Sequence, residues 1–323
     1  GRTFIEWNKL SLEEKHNVME HTEKYFVLVD IRLSQIDPSD LKGLPRLNRE
    51  HVEWLPPLWL HWASLEKSRG IIFLDELNLA PPSIQASAYQ LILDRALGEY
   101  SLADGVLVVS AGNRLEDRAN VFEMPKPLQN RFLHVELSVP TSDEWITWAT
   151  ENDIDPRIVA FIYRFPSMLF KFEPKSKEPT FPTPRTWHYA SDLIKGVNDY
   201  DLLEMLVATA VGEATAYEFI KFIKLKEKLP TVEELIRGTK EVPKELDLLY
   251  VLSSQIAEWF RNKTLKNKKE LEALAEKVLS KMPDEFAMLT LRLMKSANPD
   301  LFRQTPKLNA FKPLYRKFVK FIF

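Results

Sequence analysis

Asp75 and Glu76 are adjacent carboxylates set directly after the apolar run of residues 71–74. A buried strand ending in two negative charges can do specific work. The first carboxylate can hold Mg²⁺, directly or through water, and the second can orient an attacking water, as a nucleotide hydrolase requires. The plainer reading is an acidic loop after a core strand that caps the helix beginning near Pro81 and Pro82.

Such carboxylates need elements that place them at one edge of a sheet. Residues 24–33 (KYFVLVDIRL), 71–75 and 106–110 (VLVVS) are rich in β-branched and aromatic residues and read as buried strands. Residues 134–139 (HVELSV) read as a fourth. Ile84, Ala88, Leu91 and Ile92 recur at helical spacing after the second strand. Apolar strands separated by helices predict a parallel sheet covered on both faces, with function gathered at the carboxyl ends of its strands. A hairpin is expected before the third strand, with Ala103-Asp104-Gly105 as its tight turn. From about Asp143 the pattern is helical, broken by residues 170–184, whose four prolines rule out regular structure. Residues 202–229 suggest one or two apolar helices, and amphipathic helices follow from Pro243.

Composition narrows the chemistry. The chain has 323 residues, 45% hydrophobic and 28% charged, enough for two domains and an extension. A net charge of −2 gives no global basic field for nucleic acid. With no cysteine, disulfides, thiolate catalysis and cysteine metal sites are excluded. His16 and His21 miss the spacing of a helical metal pair. No apolar stretch reaches the roughly 18 residues of a membrane span, so no membrane association and a cytoplasmic location are expected.

In this context FLDELNLAPPSIQASAYQLILD resembles the Walker B segment and following helix of the MoxR-type AAA+ ATPases. ALGEYSLADGVLVVSAGNRLEDRANVFEMPKPLQNRF resembles the family's pre-sensor hairpin, sensor 1 and arginine-finger segments in order. Residues 29–45 (VDIRLSQIDPSDLKGLP) and 181–187 (FPTPRTW) match upstream and downstream. The resemblance covers residues 1 to about 195. It implies a P-loop AAA+ α/β domain (1–142), an all-α lid (143–242) and a helical C-terminal extension (243–323). It also implies Mg²⁺-dependent ATP hydrolysis. Asp75 corresponds to the Mg²⁺-associated aspartate and Glu76 to the water-orienting glutamate. Asn113 corresponds to sensor 1, which would bond the γ-phosphate or the attacking water. Arg131, in QNRF, corresponds to an arginine finger reaching a neighbouring subunit, and Arg185 to sensor 2. Arg114 and Arg118 read instead as partners in exposed salt bridges.

The phosphate-binding loop is where the chain departs from the family. Gly1-Arg2-Thr3 resembles the end of a G-x-x-x-x-G-K-[ST] loop, with Arg where Lys belongs and Thr3 as a Mg²⁺ ligand. The helix-like FIEWNKL follows. Arg for Lys is not conservative, because the larger planar guanidinium crowds a cradled phosphate. A further strand and glycine-rich loop ahead of Gly1 are expected, since the family's strand there is central in the sheet.

The resemblance implies a homo-oligomeric ring, a hexamer, that remodels a protein client together with a partner bearing a von Willebrand factor A-type domain. The alternatives are a nucleic-acid motor or loader on the same fold and a catalytically inactive scaffold. Trp54, Trp59 and Trp62 lie in a region that the family places near the ring's pore, although burial is the commoner fate of tryptophan. Residues 301–323 carry Arg303, Lys307, Lys312, Arg316, Lys317 and Lys320 and no acid, which suits nucleic-acid contact or an amphipathic helix equally.

Overall fold

The computed structural model describes residues 1–47, 52–113, 124, 126–173 and 178–322. The chain divides into two compact units, Gly1–Glu136 and Leu137–Phe323. In chain order the first unit runs β1 (Thr3–Glu6), α1 (Leu12–Glu20), β2 (Tyr25–Arg32), α2 (Pro38–Lys42), β3 (Leu44–Leu47), β4 (Val52–Leu55), α3 (Leu58–Ser64), β5 (Arg69–Asp75), α4 (Pro82–Asp94), β6 (Ala96–Leu97), β7 (Tyr100–Ser101), β8 (Gly105–Ser110) and α5 (Lys126–Gln129).

Its main sheet is parallel, in the order β1-β2-β5-β8. Register sets the faces. Val27, Val29 and Ile31 of β2, Ile72 and Leu74 of β5, and Val106 of β8 share one face and are buried. They form one core with Val18 of α1, Leu60 and Trp62 of α3, and Ile84, Ala88 and Leu91 of α4. Gly70 is required by this packing, because a Cβ there would lie 2.0 Å from the Val27 carbonyl oxygen and 2.9 Å from the Trp62 ring.

The opposite face is poorly covered among the described residues. Leu28, Ile71 and Phe73 are half-buried, and Leu107 and Val109 of β8 are 58% and 44% exposed. The expectation of a sheet covered on both faces is therefore corrected. The reason is topological: each strand is added on the same side of the last, and right-handed crossovers then send the connecting helices to one face. Covering the second face requires a reversal of strand order, which the described residues do not contain.

Three local expectations also change. Residues 4–10 do not form a helix. Thr3–Glu6 pairs with β2 in register Thr3↔Tyr25, and a 3₁₀ turn, Trp7–Lys9, follows. Residues 134–139 form no strand; they have no ladder partner among the described residues, and Val135, Leu137 and Val139 are 82%, 90% and 41% exposed. Their alternating pattern specifies a strand face, but a strand without a neighbour gains no ladder bonds. The hairpin before β8 exists as β6–β7, but its turn lies at Gly98, with φ 60°, and not at 103–105. Residues 103–106 make a separate turn into β8, closed by the Val106 N–H donating to the Ala103 carbonyl. Of the three tryptophans, Trp59 and Trp62 are buried, and Trp54 lies on the exposed β3–β4 hairpin.

The second unit is helical: α6 (Ser142–Glu151), α7 (Pro156–Arg164), α8 (Pro184–Ile194), α9 (Tyr200–Val211), α10 (Glu213–Ile223), α11 (Val232–Arg237), α12 (Leu246–Arg261), α13 (Lys268–Lys277), α14 (Asp284–Ala297), α15 (Pro299–Phe302) and α16 (Lys312–Ile322). Residues 170–173 and 178–183 form neither helix nor strand, as their prolines require. Gly212, with φ 85°, separates α9 from α10. Phe161, Trp187 and Phe219 centre one buried cluster, and Phe260, Phe286 and Phe311 a second. Helices α12 and α14 supply residues to both clusters, so residues 143–242 and 243–323 lie in one compact unit. Leu314, Tyr315 and Phe318 of α16 are buried and Lys317 pairs with Asp284 at 2.6 Å, so this basic helix packs amphipathically in its own bundle. No described helix is long and apolar enough to cross a membrane.

Candidate functional site

Three parallel strand ends converge on the carboxylate pair. Arg32↔Asp75 and Leu74↔Ser110 are register partners, so the carboxyl ends of β2, β5 and β8 are level. Asp75 ends β5 on the poorly covered face. Its Oδ1 accepts from the Glu76 backbone N–H at 2.9 Å, and its Oδ2 lies 3.7 Å from Arg32 Nε. Glu76 has φ 57°, a left-handed conformation that is uncommon for a side-chain-bearing residue. This conformation turns the chain sharply off the strand, and the Leu77 N–H donates to the Ala111 carbonyl beyond β8. The Ser34 hydroxyl, just past β2, donates to the Glu76 carboxylate.

Asn113 follows β8 and is exposed, and its side-chain amide has no hydrogen-bond partner among the described residues. Its backbone is held by Asn78: Asn78 Nδ2 donates to the Asn113 carbonyl at 2.6 Å, and the Asn113 N–H donates to Asn78 Oδ1 at 3.1 Å. Asp75, Glu76 and Asn113, read from sequence as one site, are thus linked by short backbone connections. Ser34, Arg32 and Asn78 join them without having been singled out. A hydroxyl and an amide close to a strand's end carry no signal that separates them from ordinary loop residues.

The phosphate-loop assignment falls elsewhere. Gly1-Arg2-Thr3 leads into β1, two strands away from β5 and at the opposite end of the sheet. Thr3 is level with Tyr25 and Asp75 with Arg32, so seven residues at about 3.3 Å each separate them by roughly 23 Å along the strands. Thr3 therefore cannot share a metal ion with Asp75, and Gly1 and Arg2 do not cradle a phosphate there. Arg2 has a structural task instead. One guanidinium nitrogen donates to the carbonyls of Thr22, Tyr25 and Lys67 at 2.7, 3.2 and 3.0 Å, tying β1 to its neighbours. Arg131 is exposed, just after α5 in the first unit. Arg185 is exposed in the first turn of α8 in the second unit, after the Thr183 cap. Arg114 and Arg118 lie outside the described residues.

The donor set fits a hydrated Mg²⁺, a hard cation that keeps several waters and takes one or two carboxylates. No described cluster of three or more His, Asp or Glu side chains could hold a metal by itself. The described residues beside Asp75 do not fit a triphosphate cradle, which needs a run of inward-facing backbone N–H groups.

Fold and site together define an α/β unit with an acidic pair at the carboxyl ends of a parallel sheet, and the chain carries a separate helical unit. No protein-family model matches the chain, and no curated protein is detectably similar to it.

Proposed function

We propose that the protein is a Mg²⁺-dependent ATPase of the AAA+ type, resembling the MoxR branch, that works as a ring to remodel a protein client. The observation that carries this reading is Glu76 itself. A carboxylate in a left-handed backbone beside Asp75, level with the ends of β2 and β8, is an arrangement a merely capping loop does not need.

In this reading Asp75 holds the Mg²⁺ of Mg-ATP, and Glu76 orients the attacking water and accepts its proton. The Asn113 amide donates to the γ-phosphate or to that water. Bound Mg²⁺ supplies neutralisation of charge on the transferred phosphoryl group. By the resemblance, Arg131 completes the site of a neighbouring subunit and Arg185 corresponds to sensor 2. The phosphate-binding turn must come from an element beyond those described beside the site. The outer edge of β8 is where a strand leading into it would lie, because a strand there supplies the missing reversal of strand order. A hexameric ring and a partner bearing a von Willebrand factor A-type domain follow from the resemblance alone.

A catalytically inactive scaffold is the second reading, and the position of Gly1–Thr3 at the far end of the sheet favours it. Turnover measurements separate the two. Asp75→Ala is expected to abolish Mg²⁺-dependent hydrolysis. Glu76→Gln is expected to retain ATP while lowering turnover by about 10²–10⁴-fold, the usual range for loss of a general base. Unchanged turnover in Glu76→Gln overturns the assignment, and a wild-type protein that neither binds nor hydrolyses ATP supports the scaffold.

A further inference from the structure

Asn78 is not accounted for by the carboxylate pair, although it lies only two residues from Glu76. Its two amide bonds reach across 35 residues to the backbone N–H and carbonyl of one residue, Asn113. A side-chain amide that satisfies both backbone groups of a single distant residue leaves that residue little freedom to shift or rotate. The neighbouring glycine fits the same contact. A Cβ on Gly112 would lie 2.5 Å from Asn78 Oδ1, closer than real Cβ contacts allow, and 3.0 Å from its Cγ. The turn carrying Glu76 is tied to the same loop by Leu77 N–H to Ala111 O at 3.0 Å, and Ala111 N–H returns to Leu74 O at 2.9 Å.

From this clamp we infer that Asn78 is a positioning residue. It fixes the backbone of Asn113 relative to Glu76, so that the Asn113 side-chain amide and the Glu76 carboxylate address the same reacting group. Its amide nitrogen and oxygen are both engaged by the Asn113 backbone, so its contribution is to placement. The inference rests on the ATPase reading for its catalytic consequence, but the clamp itself does not. Without it the Asn113 loop keeps its chemistry and loses its placement. A displacement of about 1 Å at a catalytic group can lower a rate by about 10²-fold.

Two measurements on the whole protein test this separately. Amide hydrogen exchange reads the clamp: the Asn113 N–H should be protected in the wild type and exchange at least tenfold faster in Asn78→Ala. Equal exchange in the two proteins overturns the clamp, whatever the activity. Turnover with Mg-ATP reads its purpose. Asn78→Ala should lower kcat by about 10–100-fold with little change in ATP affinity. Asn78→Asp, which keeps the acceptor for the Asn113 N–H, should fall between it and wild type. Adding Asn78→Ala to Asn113→Ala should cost little beyond Asn113→Ala alone, because the two act as a unit. Fully multiplicative losses in the double variant, or losses that track lowered thermal stability in all variants, overturn the positioning role. If exchange shows the clamp but the wild type has no ATPase activity, the positioning role falls together with the ATPase reading, while the clamp as a structural contact stands.

Discussion

Glu76 sets a conflict between stability and chemistry within one residue. Holding a non-glycine residue in the left-handed region costs roughly 1–3 kcal/mol and persists only where the surroundings enforce it. Here Ser34 bonds its carboxylate and Ala111 bonds the next residue's N–H. A comparison of two inactive variants isolates the backbone term, since each removes the carboxylate. Glu76→Gly is expected to be more stable than Glu76→Ala by about 1 kcal/mol, because glycine has no Cβ to clash at positive φ. Thermal or denaturant unfolding measures this, and equal stability would mean that Glu76 is not held left-handed in solution. Arg2 illustrates the reverse case. Its place in the sequence suggested phosphate chemistry, and three backbone carbonyls account for its charge and geometry instead.

At the scale of elements, helix starts are among the clearest features. Ser11/Glu14 on α1, Thr141/Glu144 on α6 and Thr231/Glu234 on α11 form capping boxes, and each follows the S/T-x-x-E spacing. In all three the backbone N–H of the cap residue, then its hydroxyl, holds the glutamate below the usual carboxylate range. A carboxylate depressed in the folded state contributes stability above its unfolded pKa and loses it as pH falls through the folded value. Acidification from about pH 5 through the ordinary glutamate range near 4.3 should therefore lower the melting temperature. Glu144→Gln is expected to flatten part of that decline, since glutamine keeps an acceptor but does not titrate. A melting curve with the same acid dependence as wild type would show that the Thr141–Glu144 box does not persist in solution. The sheet is the less settled element. Its uncharged six-residue edge strand, β8, presents Leu107 and Val109 to solvent, a combination that proteins normally cover or interrupt with charge.

At the scale of the whole molecule, the proposed ring makes a distinct demand. Arginine fingers stabilise charge on the transferred phosphoryl group and can be supplied in trans, with effects of about 10³–10⁵ on rate. A heterologous interface that closes into a ring gives every site one such residue. Arg131 is exposed on the first unit and is free of any ion pair with the described residues, as a residue acting on a neighbour should be. Arg131→Ala subunits are expected to bind ATP and hydrolyse it poorly. Mixing them with Glu76→Gln subunits should restore activity, because some interfaces then combine an intact Glu76 with an intact Arg131. If mixed rings form and no activity returns, Arg131 does not act between subunits.

The sequence by itself determined the parts governed by local burial and local chemistry. Runs rich in β-branched and aromatic residues specify β2, β5 and β8, since such side chains fit an extended, pleated backbone whether or not both faces end up covered. The spacing of Ile84, Ala88 and Leu91 specifies the buried side of α4, and the prolines of residues 170–184 exclude regular structure. The adjacency of Asp75 and Glu76 at the end of an apolar run specifies an acidic strand end. Tertiary structure decided whatever depends on a distant partner. Thr3–Glu6 is a strand because β2 offers it an edge, and residues 134–139 are not because no described strand does. Strand order, which no local pattern encodes, sent the connecting helices to one face, and the parallel register of β1 on β2 put Thr3 at the wrong end of the sheet for Asp75. The Asn78–Asn113 pairing belongs to the same class: two amide-bearing residues 35 positions apart meet only because β5 and β8 are neighbours in register.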